Sequence, residues 1–140
     1  MKTEKAYKIA VLDDNPLYST MLTARLKNFT GAIAADKGIR FEVLGFTNPL
    51  DFITNVPADT NVAIIDYYLG DRYNGIMILK KMQQQCSRCK VIIISQSVTL
   101  KTTLVTILEG AYCFIPKDKR SLDNTCLAVE DVMHLQGFLR

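Results

Sequence analysis

Five side chains with useful chemistry stand where apolar runs end. Asp13 and Asp14 follow Tyr7-Lys8-Ile9-Ala10-Val11-Leu12, and Asp66 closes Val62-Ala63-Ile64-Ile65. Ser95 closes Lys90-Val91-Ile92-Ile93-Ile94, and Lys117 follows Tyr112-Cys113-Phe114-Ile115-Pro116. Three carboxylates brought together repel one another and raise each other's pKa unless a cation neutralises them. A donor set made only of oxygens, with no His or Cys, suits a hard ion. Mg2+, which keeps several waters and binds phosphates, is the economical choice. An ammonium and a hydroxyl on the same rim complete a cage for an oxyanion, and the three together stabilise charge on the equatorial oxygens of a phosphoryl group in transfer. The acceptor can be Asp66 itself, because carboxylates form aspartyl phosphates.

These residues converge only if their strands are parallel neighbours. The runs at 62–65 and 91–94 are apolar on both faces, as in strands buried in a parallel sheet, where ligands bind beyond the carboxyl ends. After the first strand, Asn15 caps a helix that Pro16 opens, with Leu22, Leu26 and Phe29 as its buried stripe and Leu17, Met21 and Ala24 beside it. Gly31 to Gly38 reads as a small-residue connection, long and mobile, with partial continuation of the helix left open. Ile39–Phe46 alternates as a second strand nearer an edge. Asn48 and Pro49 repeat the cap-plus-proline start for a short helix that turns Phe52, Ile53 and Val56 inward and ends at Pro57. The third helix shows the stripe Ile76, Leu79, Met82 and Cys86. A fourth, from about Val98 to Glu109, is expected to bury Leu100, Leu104, Ile107 and Leu108 and to stop at Gly110. A fifth, from about Leu122, turns Leu122, Cys126, Val129 and Met133 inward. Strand and helix alternate five times, so the expected fold is a three-layer α/β domain with a doubly wound, five-stranded parallel sheet, spanning residues 1–140 as one domain.

Composition narrows the function. The 140 residues, 49% of them hydrophobic, amount to one domain with a real core. No apolar run approaches the ~18 residues of a membrane span, and Met1–Lys5 lead into a strand rather than a signal-peptide core, so no membrane and a cytoplasmic location are expected. The net charge of +3 is scattered, and no helix-turn-helix segment is left over, so direct nucleic-acid binding by this domain is not expected. Cys86-Ser87-Arg88-Cys89 has the spacing of a redox dithiol and of half a zinc site. It falls after a helix and before a strand, the wrong polarity for a low-pKa thiol, and Cys113, Cys126 and His134 lie in segments that read as core; ordinary reduced thiols are the expectation.

Each site residue also has a plain reading. Asp13 and Asp14 can be helix-start acids, Ser95 a hydroxyl satisfied by backbone, Lys117 a surface cation with a buried stem, and Phe114 a core aromatic. Taken jointly these readings weaken, because three acids, a hydroxyl and a lysine on one rim leave little to chance.

The motifs in order, Leu12-Asp13-Asp14-Asn15, Ile64-Ile65-Asp66-Tyr67-Tyr68-Leu69, Asn74-Gly75, Ile94-Ser95 and Gly110-Ala111-Tyr112-Cys113-Phe114-Ile115-Pro116-Lys117, resemble the receiver domains of two-component response regulators. The resemblance covers nearly the whole chain and implies the flavodoxin-like receiver topology. It implies that Asp66 accepts a phosphoryl group from a sensor histidine kinase or phosphotransfer protein, and that Asp13, Asp14, Asp66 and the backbone carbonyl of Tyr68 hold Mg2+. It further implies that Ser95 and Lys117 bind the phosphoryl oxygens, and that Phe114 turns inward as Ser95 moves. The altered surface of the fourth helix, fifth strand and fifth helix would then act on a downstream protein, an output domain or a second copy in a homodimer. The sequence departs from the family pattern at Gly70, where proline is frequent, in a loop before Gly75 that is one residue longer than common, at Gln96, larger than the usual residue, and at Lys117, which proline precedes rather than follows. Gln96 and Tyr68 are expected to influence the lifetime of the aspartyl phosphate.

Rival readings have discriminators. A haloacid-dehalogenase-type phosphatase would want its second acid two residues after the nucleophile on the first strand, whereas Asp13 and Asp14 are adjacent. A flavodoxin-like flavin binder would want a hydroxyl- and glycine-rich loop after that strand. A receiver-like interaction module that has lost phosphorylation would not need Asp66, Ser95 and Lys117 intact.

Overall fold

A computed structural model describes residues 6–140; the expectation that Met1–Lys5 lead into a strand lies outside the described residues. Strands and helices alternate in the order β1 (Tyr7–Leu12), α1 (Pro16–Lys37), β2 (Phe41–Phe46), α2 (Pro49–Asn55), β3 (Val62–Asp66), α3 (Gly75–Gln85), β4 (Lys90–Ser95), α4 (Leu100–Leu108), β5 (Cys113–Pro116) and α5 (Ser121–Leu135). Every strand pair is parallel and the sheet runs β2-β1-β3-β4-β5, the expected doubly wound architecture with β2 at an edge.

The sheet separates two cores because strand side chains alternate. Ile9, Val11, Ile64, Ile92 and Ile94 face Leu22 and Leu26 of α1 and Val129, Val132 and Met133 of α5. Ala10, Leu12, Ile65 and Ile93 face Phe52 of α2 and Ile78, Leu79 and Met82 of α3. All five residues of β3 are buried, so Asp66 ends a strand with no solvent-facing side. Each fully buried Ile or Leu contributes roughly 1.5–3 kcal/mol, so β3 is firmly anchored in the core beneath its terminal carboxylate.

Asparagine caps set where three of the helices begin, and Thr99 caps α4. The Asn15 side chain accepts from the N–H groups of Leu17 and Tyr18 ahead of Pro16, Asn48 from Asp51 ahead of Pro49, and Asn74 from Met77. An amide oxygen satisfies donors that would otherwise be orphaned, and proline at the next position gives up no hydrogen bond.

The structure corrects several sequence expectations. Gly31 to Lys37 is not a loop: α1 runs on to Lys37 and ends on Gly38, which is left-handed with φ of 71° and whose N–H reaches the Ala34 carbonyl at 2.9 Å. Ala32, Ala34 and Ala35 favour helix enough to carry one glycine, which costs only about 1 kcal/mol. The inward line of α1 is Ser19, Leu22, Leu26 and Thr30; Leu17, Met21 and Ala24 lie one or two residues, about 100–200°, round the helix from it and are exposed. In α3 the deeply buried line includes Ile78, while Ile76 is only half-buried. Strands β2 and β5 begin at Phe41 and Cys113, leaving Ile39 and Tyr112 in the preceding loops.

Helix α4 departs furthest from expectation. It begins at Leu100, and Leu100, Leu104, Ile107 and Leu108 are 76%, 51%, 46% and 82% exposed rather than buried. The side turned to the sheet is the threonine side, with Thr106 fully buried and Thr102 and Thr103 partly so. An apolar stripe marks a face to be covered; here the chain's own fold leaves that face open.

Candidate functional site

Register brings the acids together. Leu12 pairs with Ile65, so Asp13 emerges beside Asp66 between β1 and β3, where the strand order reverses. Such switch points open the crevice in which doubly wound sheets bind ligands. One oxygen from each of Asp13, Asp14 and Asp66 lies within 4.8 Å of the others. Asp13 is fully buried, accepts the Asn15 N–H through Oδ1 at 2.9 Å, and has Oδ2 2.8 Å from Lys117 Nζ. Asp14 is exposed. Asp66 is buried; its Oδ2 accepts from Lys117 Nζ at 3.2 Å and its Oδ1 from the Tyr68 N–H at 3.4 Å. Lys117 arrives because Ser95 pairs with Pro116 and the Lys117 N–H bonds the Ser95 carbonyl at 2.8 Å. The described peptide bonds are all trans, including the one after Lys117.

Burial, and then the negative charge of Asp13, push the Asp66 carboxyl up to about 6, with Lys117 and the Tyr68 N–H offsetting part of this. Burial disfavours the charged form of Lys117, but its hydrogen bond to Asp13 and the charges of Asp66 and Asp13 outweigh that and raise its pKa. The group is therefore an ammonium wedged between two buried acids, with a third acid in solvent beside them.

A cleft of about 260 Å³ opens over these groups, lined by Asp14, Asn15, Asp66, Tyr68, Gly70, Gln96 and Lys117. The oxygen-only donor set of its floor fits a hard divalent cation. A larger cavity of about 650 Å³ lies at the opposite rim, around Thr60, Asn61, Cys86 and Phe138, and holds none of these groups. The loop between β3 and α3 is closed by a bridge from Tyr68 to Asn74 and by the Gly75 N–H on the Tyr67 carbonyl at 2.7 Å. Gly70 takes φ of 91°. A Cβ at Gly75 would stand 2.9 Å from both the Asp66 carbonyl oxygen and Tyr67 Cα, so only glycine lets α3 begin this close to the end of β3.

The four cysteines are free thiols, and burial raises the pKa of Cys113 and Cys126 to about 11. Cys89 is pushed up by burial and then by the neighbouring Cys86, which leaves Cys89 without thiolate character.

No protein-family model matches the chain, and no curated protein matches it. Solved structures do. A response-regulator receiver-domain protein from Clostridium thermocellum shares 20% identity over 96% of this chain and 99% of its own, with a TM-score of 0.75. The fold is that of a response-regulator receiver domain. The BeF3-activated receiver domain of DrrB follows with 18% identity, 93% and 99% coverage and a TM-score of 0.74. The isolated receiver domain of RcsB from Salmonella enterica serovar Typhimurium, with the phosphomimetic BeF3−, gives 18%, 91% and 90%, and 0.72.

On this receiver fold Asp13, Asp14, Asp66 and Lys117 meet, and Tyr68 and Gln96 line the same cleft. Ser95 is fully buried, and its hydroxyl donates to the Ser97 carbonyl at 2.9 Å rather than to Asp66. Phe114 is half-buried against the core shared with α2 and α3. Two further contributors lie outside the candidate site residues. Asn15, read as a cap, also donates its N–H to Asp13 and lines the cleft. Tyr18 places its ring 4.5 Å from Lys117 Nζ, with its hydroxyl 2.6 Å from Ser121 Oγ. The available signal was positional: the first turn of a helix that follows a strand-end acid stands over that acid.

Proposed function

We propose that residues 1–140 form a single receiver domain that accepts a phosphoryl group on Asp66 from a histidine kinase or phosphotransfer protein. The observation that carries this is the Lys117 ammonium, 3.2 Å from Asp66 and 2.8 Å from Asp13, in a cleft whose three acids lie within 4.8 Å of one another. Mg2+ would be held by Asp13, Asp14, Asp66 and the backbone carbonyl of Tyr68, and when bound it supplies positive charge beside the phosphoryl oxygens.

In the transfer a carboxylate oxygen of Asp66 forms a bond to phosphorus while the bond from phosphorus to the donor's imidazole nitrogen breaks, and the electron pair leaves with that nitrogen. With its pKa near 6, Asp66 is ionised and nucleophilic at neutral pH. Lys117 keeps its charge and meets the phosphoryl oxygens, exchanging its contact with Oδ2 for one with the new group. Ser95 turns its hydroxyl from the Ser97 carbonyl toward the phosphoryl group, and Phe114 fills the space this opens. Gln96 and Tyr68, at the cleft, govern how water reaches the acyl phosphate.

The output face is α4, β5 and α5. Its exposed Leu100, Leu104, Ile107 and Leu108 form an apolar surface suited to a partner protein, an output domain or a second copy. A solved structure with this fold is a DNA-binding response regulator of the LuxR family from Staphylococcus aureus; for the present domain the proposed output is protein contact, without direct binding of nucleic acid. Among the described residues no helix is long and apolar enough to cross a membrane; a cytoplasmic location accords with a kinase-fed signal. The role is self-catalysed phosphotransfer and slow dephosphorylation, not turnover of a substrate, and the structural likenesses lend nothing to a haloacid-dehalogenase-type phosphatase.

Intact-mass measurement after incubation with acetyl phosphate and Mg2+ tests the proposal. One phosphoryl mass is expected on the wild type and none on Asp66→Asn. An unmodified wild type refutes phosphoacceptor competence, and an adduct that persists in Asp66→Asn refutes the site.

A further inference from the structure

Among the described residues the Lys117 ammonium is flanked by three groups, two of them acids. The third is the face of Tyr18, whose ring centroid lies 4.5 Å from Nζ. Tyr18 is half-buried on the first turn of α1, and its hydroxyl meets Ser121 Oγ at 2.6 Å. Ser121 is itself buried as the first residue of α5. The ring is therefore held at both ends, by the α1 backbone and by α5, and the Lys117 side chain beside it is left 6% exposed.

A lysine is a compact charge on a flexible four-carbon stem, with no directional fork of its own. Two acids draw it into the pocket but do not fix it, since either can be its partner. An aromatic face attracts a cation through its quadrupole while bringing no formal charge that would compete for the ammonium or repel a phosphoryl dianion. A fourth carboxylate in that place would add repulsion to a site that already holds three. When Asp66 becomes an acyl phosphate its carboxylate charge moves outward onto the phosphoryl oxygens; the ring does not move with it, and the ammonium can pivot without leaving.

We propose that Tyr18, braced by Ser121, is a positioning residue that holds the Lys117 ammonium against the Asp66 carboxylate, ready for the incoming phosphoryl oxygens. The inference rests on the phosphoacceptor reading of Asp66 but concerns residues outside its motifs. Tyr18 touches neither phosphorus nor metal; it acts through Lys117.

Two readouts on the full chain test it. The first needs no phosphodonor: protons above a ring face are shielded, so the Lys117 ε-methylene signals lie upfield of the other lysines in the wild type. They move part-way in Tyr18→Phe and in Ser121→Ala, which keep the ring and lose its brace, and fall back fully in Tyr18→Leu. The second is the rate of phosphoryl uptake from acetyl phosphate with Mg2+, followed by intact mass. Tyr18→Leu is expected to be about tenfold slower, while Tyr18→Phe and Ser121→Ala, which keep the ring, stay within about threefold of the wild type. Uptake by Tyr18→Leu at the wild-type rate overturns the inference, as does a Tyr18→Phe protein as slow as Tyr18→Leu, or an unshifted Lys117 signal in the wild type. If Tyr18→Leu does not fold, the wild-type and Ser121→Ala signals decide: unshifted in the first, or unmoved in the second, overturns it. A wild type that takes up no phosphoryl group overturns the phosphoacceptor reading and this inference together, which distinguishes that failure from equal uptake by wild type and Tyr18→Leu.

Discussion

Replacing Asp66 with asparagine should stabilise the metal-free protein, by an amount that depends on pH. The Asp66 side chain is 6% exposed and faces the negative Asp13, and burial followed by that charge raises its pKa from 3.8 to about 6. The folded chain thus holds this proton more tightly than the unfolded chain does. Stability falls as pH rises from about 4 to about 6, and the full cost of ionising Asp66 is present above that. A shift of about two units corresponds to about 3 kcal/mol at most, and water reaching the cleft past exposed Asp14 reduces this to about 1–2 kcal/mol. Asparagine has nearly the same shape and no charge, so the substitution removes the cost. The advantage of Asp66→Asn should be near zero at pH 4 and about 1–2 kcal/mol at pH 8, or about 3–6 °C in Tm for a chain of this size. Urea unfolding in EDTA across pH 4–8, followed by circular dichroism because the chain has no tryptophan, measures it. A difference that stays flat with pH, or a variant less stable than the wild type at pH 8, would refute the electrostatic account of the site.

Mg2+ should reverse that order: at a hundred times its Kd it stabilises the wild type by about 2.7 kcal/mol, and Asp66→Asn should gain far less, as thermal melts with and without the ion will show. Leu104→Ser and Leu108→Ser should each change stability by less than about 0.5 kcal/mol, because both side chains are more than half exposed, whereas Ile64→Ala in β3 should cost about 2–5 kcal/mol. Urea titrations costing Leu108→Ser as much as Ile64→Ala would show that α4 is covered. Gly75→Ala should cost about 1–3 kcal/mol and slow phosphoryl uptake, since the new Cβ meets the Asp66 carbonyl oxygen at 2.9 Å; an unchanged melt and unchanged uptake would contradict the close approach.

The α4 result shows where periodicity misleads. Leu100, Leu104, Ile107 and Leu108 form an apolar line, and a line of that kind says that a face wants covering without saying by what. The threonine side packs on the sheet instead, and the buried Thr106 shows it. Gly31 misled for a local reason: one glycine among alanines does not stop a helix, and the left-handed cap at Gly38 does.

What the amino-acid order determined by itself is what depends on neighbours a few residues away. Asn15-Pro16 and Asn48-Pro49 open helices through their own caps, and doubly apolar runs become buried strands. Asp13, Asp66 and Lys117 sit at strand ends because the apolar residues beside them stop there. Parallel crossovers then send those ends to one rim, so the candidate site was legible down to its acids and its lysine. Tertiary structure alone decided which atoms meet across the rim. The Lys117 ammonium divides itself between Asp13 and Asp66, the Ser95 hydroxyl bonds its own loop, and Tyr18 reaches Lys117 from 99 positions away while leaning on Ser121. Those choices follow from register, burial and competing charge, none of which is a property of a local stretch of chain.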